Sequence, residues 1–245
     1  MTITKQGGRA SRAALCAMLV LLSGCASFTP DGGFTAVEQA GQQLDQQVTW
    51  VKTAEQRSQV DERVAELLAQ PLTVDAAVQV AVLNNRDLQA SFDQLGISEA
   101  ERVQAGRIPN PGFSFGRMEK GSEVEYERGL HINLARLLVM PLTSGMEAKR
   151  FEQVQRQTSL ALFELASQTR KAWYRAVAAE ESLGFMHQVM DSAAAGAELA
   201  RRLAAVGNYS VLQRAQEQSF YADAGLNLIR AEQARVQSRE QLTRL

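Results

Sequence analysis

Residues 143–206 contain no proline and, after the first turn, only the glycines at 184 and 196, and this stretch constrains the fold more than any other part of the sequence. Small or apolar residues recur along it at alternating steps of three and four, which is typical of the contact row of a coiled-coil helix. At 1.5 Å per residue, a helix of about 64 residues would be about 96 Å long. The row comprises Leu162, Leu165, Thr169, Ala172, Ala176, Ala179, Leu183, Met186, Met190, Ala193 and Ala197.

A tight turn at residues 207–210 ends this pattern, and a second helix returns from it over residues 210–245. Gly207 suits the left-handed position that closes a helix. The returning helix carries a row with the same rhythm: Leu212, Ala215, Ser219, Ala222, Leu226 and Ile229. We therefore predict a mainly α fold with long antiparallel coiled-coil helices.

The periodicity changes to two between Pro111 and Pro141, which predicts a β-hairpin over residues 112–135. Two segments of roughly ten residues flank a turn-like sequence at residues 119–122. One face is apolar, although Arg128 interrupts it, and comprises Phe113, Phe115, Val124, Tyr126, Leu130, Ile132 and Leu134. A membrane hairpin with lipid on this face and a soluble hairpin packed on helices both fit the pattern.

The other face of the second strand carries Glu123, Glu125 and Glu127, followed by His131 and Asn133. In a membrane hairpin the three glutamates would face a pore and favour cations. In a soluble hairpin they would keep one strand face solvated. The pattern fits both roles equally.

Helix formers also dominate before the hairpin, over residues 37–68, and Pro71 ends that segment. Its apolar face comprises Val37, Leu44, Val48 and Val51. Thr73 can cap the next helix, and helices are predicted over residues 73–108 with an interruption at Asn84-Asn85.

The N-terminus resembles a lipoprotein signal peptide over residues 1–24. Basic residues precede an apolar run of about ten residues, which is too short to span a bilayer as a helix. Leu22-Ser23-Gly24-Cys25 then reads as a lipobox, in which Cys25 is lipidated and begins the mature chain. Ala26 replaces the aspartate that commonly retains lipoproteins on the inner membrane, which favours delivery to the outer membrane. The alternative is an ordinary secretory signal with a chance cysteine.

Charge and composition exclude several classes of function. Loss of Lys5, Arg9 and Arg12 with the signal changes the formal net charge from −1 to −4 (−1 − 3), whereas a nucleic-acid binder needs a basic stripe. Cys25 is then the only cysteine, which excludes an internal disulfide and a cysteine metal cage. His131 and His187 stand apart in the sequence, so we expect no metal site. The sequence shows no catalytic pattern, and we expect neither an enzyme nor a cofactor.

Several motifs resemble the TolC-like family of outer-membrane efflux and secretion channels. The first is Pro71-Leu72-Thr73-Val74-Asp75-Ala76-Ala77 with the later Asn84-Asn85 pair. The second is Ile108-Pro109-Asn110-Pro111, which leads into the first strand. The third runs from Arg202 to Leu212 and is similar to the family's helix turn at the periplasmic tip. The resemblance covers about residues 71–245, with residues 25–70 as a lipidated helical segment before it.

The resemblance implies a half-protomer that forms an α-barrel and a β-barrel on oligomerisation. It also implies contact with a periplasmic adaptor at Val206, Gly207, Asn208 and Ser210, although a helix cap alone would account for the turn. The family's usual protomer has two copies of this unit, whereas this chain has one. We therefore expect a trimer if the chain is part of a longer one, and a hexamer is the hypothesis for a single-repeat chain.

These observations predict a lipid-anchored exit duct in the outer membrane that passively passes substrates from an inner-membrane pump and a periplasmic adaptor. Two alternatives remain: a lipid-anchored periplasmic coiled-coil scaffold and a truncated, non-functional fragment. The sequence does not specify the substrate or the gating residues.

Overall fold

The computed structural model describes residues 27–121 and 123–245, so the predicted signal peptide, Cys25 and Ser122 lie outside the described residues. The helices are α1 (Thr35–Gln43), α2 (Ala54–Leu68), α3 (Val74–Asn84), α4 (Arg86–Ala105), α5 (Leu134–Ala205) and α6 (Val211–Thr243). The strands are β1 (Gly112–Lys120) and β2 (Glu123–His131), which pair antiparallel. The prediction of a mainly α fold is confirmed. No helix in the described part of the chain is long and apolar enough to cross a membrane.

The chain divides into two compact units. The first contains residues 27–37 and 90–159, and the second contains residues 38–89 and 160–245. Helices α1, α4 and α5 each contribute residues to both units.

The first unit buries apolar side chains of α4 beneath the N-terminal segment, which we define as residues 27–37. Val37, Phe92 and Leu95 are fully buried. The rings of Phe34 and Phe92 meet edge to face with centroids 5.0 Å apart. Gln155 of α5 donates a hydrogen bond from Nε2 to the carbonyl oxygen of Gly33 at 3.0 Å. The segment is therefore part of this unit's core.

The predicted helix-forming stretch 37–68 is interrupted in the second unit. Helix α1 ends at Gln43, and Asp45 then adopts a left-handed backbone with φ of 55°. The chain beyond it has no regular secondary structure until Thr53 caps α2 through a reciprocal pair of hydrogen bonds with Gln56. The capping box was the sequence signal for a helix start at this point, and a prediction from helix propensity alone did not use it.

Two glutamine side chains form hydrogen bonds with the backbone of that irregular segment. The Gln79 side chain accepts from the Gln47 N–H at 2.9 Å and donates to the Gln47 carbonyl oxygen at 2.8 Å. Gln89 likewise accepts from the Val51 N–H at 3.0 Å and donates to the Thr49 carbonyl oxygen at 2.8 Å. Because these backbone groups have partners, the segment can lie on the helices without forming one.

The break predicted at Asn84-Asn85 is present between α3 and α4. The Thr73 hydroxyl accepts from the Ala76 N–H at 3.2 Å and caps α3 as predicted. Asn85 accepts from the Leu88 N–H at 2.9 Å and so caps α4.

Helix α5 begins at Leu134, whereas we predicted a start at residue 143 and a hairpin that continued to residue 135. The Asn133 side chain accepts from the Arg136 N–H at 2.9 Å and caps the new start. Pro141 lies inside the helix. Its missing N–H leaves the Leu137 carbonyl without its usual donor, but this part of the helix is exposed, so water can replace that donor. Pro141 therefore does not mark the start of α5, which lies seven residues earlier.

The predicted contact row of α5 is buried or half-buried along its whole length, from Leu162 to Ala197. Helix α6 runs antiparallel to this part of α5. A Cβ on Gly225 would lie 3.9 Å from Met190 Cε, and Arg235 Nη1 lies 3.9 Å from Glu180 Oε2.

The row of α6 predicted from its apolar residues is exposed instead, with Ile229 61% exposed. The buried and half-buried row is Glu217, Tyr221, Ala224, Leu228, Ala231, Arg235, Ser238 and Leu242. Both rows have the same spacing, so the spacing alone could not predict which row packs on α5. Alanines at 224 and 231 permit close approach to α5, and we call the exposed row, Leu212 to Ile229, the outer row of α6.

Candidate functional site

The hairpin separates its side chains into two faces. Phe113 pairs with Leu130, Phe115 with Arg128, Arg117 with Tyr126, and Glu119 with Val124, and successive pairs in this series share one face. We call this the aromatic face. The alternate pairs, from Gly112–His131 to Lys120–Glu123, define the acidic face.

Five of the seven residues predicted to face lipid lie on the aromatic face: Phe113, Phe115, Val124, Tyr126 and Leu130. All five are exposed, Phe113 to 72%. The rings of Phe115 and Tyr126 lie with centroids 6.1 Å apart. The face therefore has aromatic contacts of its own and no core beneath it within the described chain.

The other two predicted residues, Ile132 and Leu134, do not belong to the face. Strand β2 ends at His131, Ile132 lies in the connection, and Leu134 begins α5. Because Asn133 caps α5, the strand ends four residues before residue 135, where the alternating pattern predicts the end of the hairpin.

Charged residues also lie on the aromatic face. Arg128 was evident from the sequence, but Arg117 and Glu119 share the face and form an ion pair. The sequence predicts Glu119 in the turn, whereas the structure places it in β1. The structure extends β1 to Lys120 and begins β2 at Glu123, and Gly121 between them has a left-handed backbone with φ of 66°.

Glu123, Glu125 and Glu127 all lie on the acidic face, as their alternation predicted. Their cross-strand partners are Lys120, Met118 and Gly116, none of them acidic, so the glutamates do not face a second acidic row. His131 lies on the same face with its Nε2 atom 3.3 Å from Ser114 Oγ. The described residues hold no group of three or more histidine, cysteine or acidic side chains that could bind a metal ion.

The turn after α5 has a defined backbone structure. Gly207 has φ of 78°, and its N–H donates to the Ala204 carbonyl oxygen at 3.2 Å. The Asn208 N–H donates to the Leu203 carbonyl oxygen at 2.9 Å, which completes a Schellman motif. Ser210 accepts from the Gln213 N–H at 3.2 Å and starts α6. Gly207 and Ser210 thus have structural roles.

Val206 and Asn208, the other two predicted tip residues, are exposed, Val206 to 69%. Val211 and Leu212 are also exposed and extend the apolar surface onto α6. The turn therefore has an exposed apolar tip, and no contact in the described structure covers it.

A fork of charged residues lies next to the turn. Glu198 accepts hydrogen bonds from Arg201 Nε and from Arg202 Nε, each at 2.7 Å. These bonds, that from Arg201 first, lower the pKa of Glu198 to about 2. Glu198 and Arg201 line a groove of about 600 Å³ between α5 and α6, and its lining also includes Ala194, Ala197 and Ala215. No pattern in the sequence marked this groove.

A cavity of about 750 Å³ in the second unit lies beside α3, α5 and the end of α6. Its lining is mainly apolar and includes Leu68, Val177 and Leu242. Trp173 also lines it and donates from Nε1 to the Leu72 carbonyl oxygen at 2.9 Å. Neither Trp173 nor this cavity was a sequence-based candidate.

Comparison with known proteins gives one relative. The sequence is 27% identical over 184 residues to the cobalt-zinc-cadmium resistance protein CzcC of Cupriavidus metallidurans. The match covers 72% of this chain and 43% of CzcC, so the chain spans less than half the length of this curated relative. No protein-family profile matches the sequence. No solved structure matches it. The similarity to CzcC gives weak support to the family resemblance.

Proposed function

We propose that this chain is a lipid-anchored component of an outer-membrane exit duct that serves an efflux system. Substrates would pass through it passively, an inner-membrane pump would supply the energy, and a periplasmic adaptor would connect the two. The duct itself would carry out no chemistry. The observation that carries this proposal is the hairpin, with its exposed aromatic face and its separate acidic face.

The hairpin needs partners outside the described chain. Its sheet has two strands there, so β1 and β2 each leave one edge without a hydrogen-bonded neighbour. Hairpins from several copies could close into a barrel, which would satisfy both edges and place the aromatic faces against lipid. The acidic faces would then line the lumen.

The outer row of α6 supports assembly from copies of the same chain. It repeats the three-four spacing of the row through which α6 packs on α5, yet it is exposed. A helix with two such rows can pack on a neighbour at each side. We propose that α6 meets a helix of a second copy, in a hexamer if the chain carries a single repeat and in a trimer if it belongs to a longer protein.

Divalent metal cations are the substrate class that we propose. Glutamates at 123, 125 and 127 would attract cations to the lumen. The relative CzcC is named for resistance to cobalt, zinc and cadmium. Two independent features, the charge of the hairpin and the name of the relative, therefore support the proposal that the substrates are cations.

We further propose that the adaptor contacts the exposed tip residues Val206 and Asn208, while Gly207 and Ser210 hold the turn in shape. Lipidation of Cys25 after removal of residues 1–24 would provide a second attachment to the membrane.

Current through planar bilayers tests the proposal. The full-length protein should give discrete, cation-selective conductance steps. Glu125→Gln should lower the selectivity, whereas Glu119→Gln, on the opposite face of the hairpin, should leave it unchanged. Absence of conductance from folded, membrane-extracted protein would contradict the duct.

A periplasmic scaffold is the second candidate, and a specific observation favours it: Arg117, Glu119 and Arg128 share the aromatic face. An arginine that faces lipid costs up to about 2–4 kcal/mol at the bilayer centre, and a glutamate costs less. A scaffold would keep the hairpin in the periplasm and would show no conductance.

A further inference from the structure

A buried carboxylate in the first unit holds the N-terminal segment. Glu99 of α4 is only 3% exposed. Its Oε1 atom accepts from the Thr29 N–H at 2.6 Å and also from the Thr29 hydroxyl. A charged group removed from water must be compensated by close partners, and Thr29 supplies two of them.

Arg102 completes the arrangement from one helical turn further along α4. Its Nη2 atom lies 3.5 Å from Glu99 Oε1, and its guanidinium lies 5.1 Å from the centre of the Phe151 ring. The ring of Phe151 packs in turn under Gly33, where no side chain would fit. Glu99, Arg102 and Phe151 therefore link α4, α5 and the N-terminal segment in one cluster, which we call the clamp.

The clamp lies close along the chain to the proposed lipid anchor. Thr29 lies four positions after Cys25 in the sequence, and four positions can span at most about 14 Å. On the other side, Glu99 precedes the end of α4 at Ala105 by six residues, or about 9 Å of helix, and the hairpin follows after a short connection. The clamp thus ties the anchor to the same unit that carries the hairpin.

We infer that Glu99 is a positioning residue that fixes the lipid anchor near the base of the hairpin, so that acyl chains and hairpin meet the membrane together. This inference rests on the proposed function for its membrane role, whereas the clamp itself is independent of it. Without the clamp the anchor would be joined to the unit by a free tether, and lipidation would no longer set the height of the hairpin.

Hydrogen exchange of the full-length protein in detergent tests the clamp. Glu99→Ala should accelerate exchange of the amides of residues 27–37 by roughly 10- to 100-fold, since it removes both bonds to Thr29. Glu101→Ala, an exposed glutamate on the same helix, is the matched control and should change nothing. Equal exchange in the two variants would overturn the inference.

Two further variants guard against misfolding. Thr29→Val removes only the hydroxyl donor and leaves α4 intact, so it should accelerate the same amides by less than Glu99→Ala. Glu99→Gln keeps an acceptor oxygen for Thr29 and should restore part of the protection. If Glu99→Ala does not fold, an unchanged exchange rate in Thr29→Val would overturn the clamp.

External protease cleavage of the hairpin turn in intact cells tests the positioning role. Glu99→Ala should reduce cleavage relative to Glu101→Ala. Unchanged cleavage, with the clamp shown to be open by exchange, would overturn the positioning role and leave the duct intact. Lack of cleavage in the unaltered protein would instead count against the proposed function, and the exchange result would still decide the clamp.

Discussion

The N-terminal segment and the hairpin are held in opposite ways, although both belong to the first unit. The side chains of Phe34 and Val37 in the segment are buried against α4, and polar groups of the segment form hydrogen bonds with the side chains of Glu99 and Gln155. The hairpin leaves Phe113, Phe115 and Leu130 exposed and pairs only with itself in the described chain. The segment is stabilised by contacts with α4 and α5, whereas the hairpin has no such packing partner among the described residues.

Truncation of a buried ring should give the largest effect on this contrast. Phe92→Ala removes a fully buried ring and its edge contact with Phe34, and we expect a loss of about 3–5 kcal/mol in the free energy of unfolding. Phe113→Ala, in the exposed hairpin, should cost less than about 0.5 kcal/mol in detergent. Denaturant unfolding measures both, and equal losses would remove the contrast.

A charge on the aromatic face should have the next largest effect, and only in a membrane. Phe115→Arg should weaken membrane insertion by about 2–4 kcal/mol per hairpin if the residue lies near the bilayer centre. Ser114→Arg adds the same charge on the opposite face and should be tolerated. Protease protection of the hairpin in purified outer membranes reports insertion, and equal protection in both variants would contradict the assignment of faces.

The same glycine substitution should affect the two regions differently. At Gly33, φ is 76° and a Cβ would lie 2.3 Å from Phe151 Cζ, so Gly33→Ala should cost about 2 kcal/mol or more. At Gly121, φ is 66° but nothing lies within 4 Å, so Gly121→Ala should cost only about 1 kcal/mol. Thermal unfolding ranks the two variants, and the reverse order would show that the segment is not tightly packed.

Acid should loosen the N-terminal segment by the smallest amount. Hydrogen bonds from Thr35, the side chain first and then the backbone, hold the pKa of Asp31 well below its usual range. Because the folded value is depressed, the stabilisation is present above the ordinary pKa of about 4 and is lost as the pH falls towards the folded value.

Hydrogen exchange of residues 27–37, corrected for the intrinsic rate at each pH, measures this loss. In Asp31→Ala the segment should be loosened at every pH, by about 1 kcal/mol, since the start of α1 loses its acceptor. An unaltered segment at pH 3 would show that Asp31 does not contribute.

Local chemistry was predictable from the sequence, whereas the choice among equivalent surfaces was not. Thr73, Gly207 and the Asn84-Asn85 break have the local roles that their residue types suggested. The alternation of the hairpin likewise placed Phe113 and Phe115 on one face and the glutamates on the other. Such features depend on a few neighbouring residues.

The predictions were wrong where two local signals competed, or where a residue distant in the sequence determined the packing. Asn133 started α5 although Pro141 suggested a later boundary. The row of α6 that packs on α5 contains Glu217 and Arg235, and the more apolar row is exposed, which only the position of α5 could reveal. The clamp at Glu99 joins residues 70 positions apart, and no spacing pattern marks such a pair.

The most direct test of the central claim is the side of the outer membrane on which the hairpin turn lies. A protease recognition site inserted at Gly121 places the cut in an exposed turn with open space around it. The duct predicts that protease added to intact cells cleaves there, and that a site inserted at Asn208 is cleaved only after the outer membrane is permeabilised. Cleavage at Gly121 only after permeabilisation would place the hairpin in the periplasm and contradict the duct.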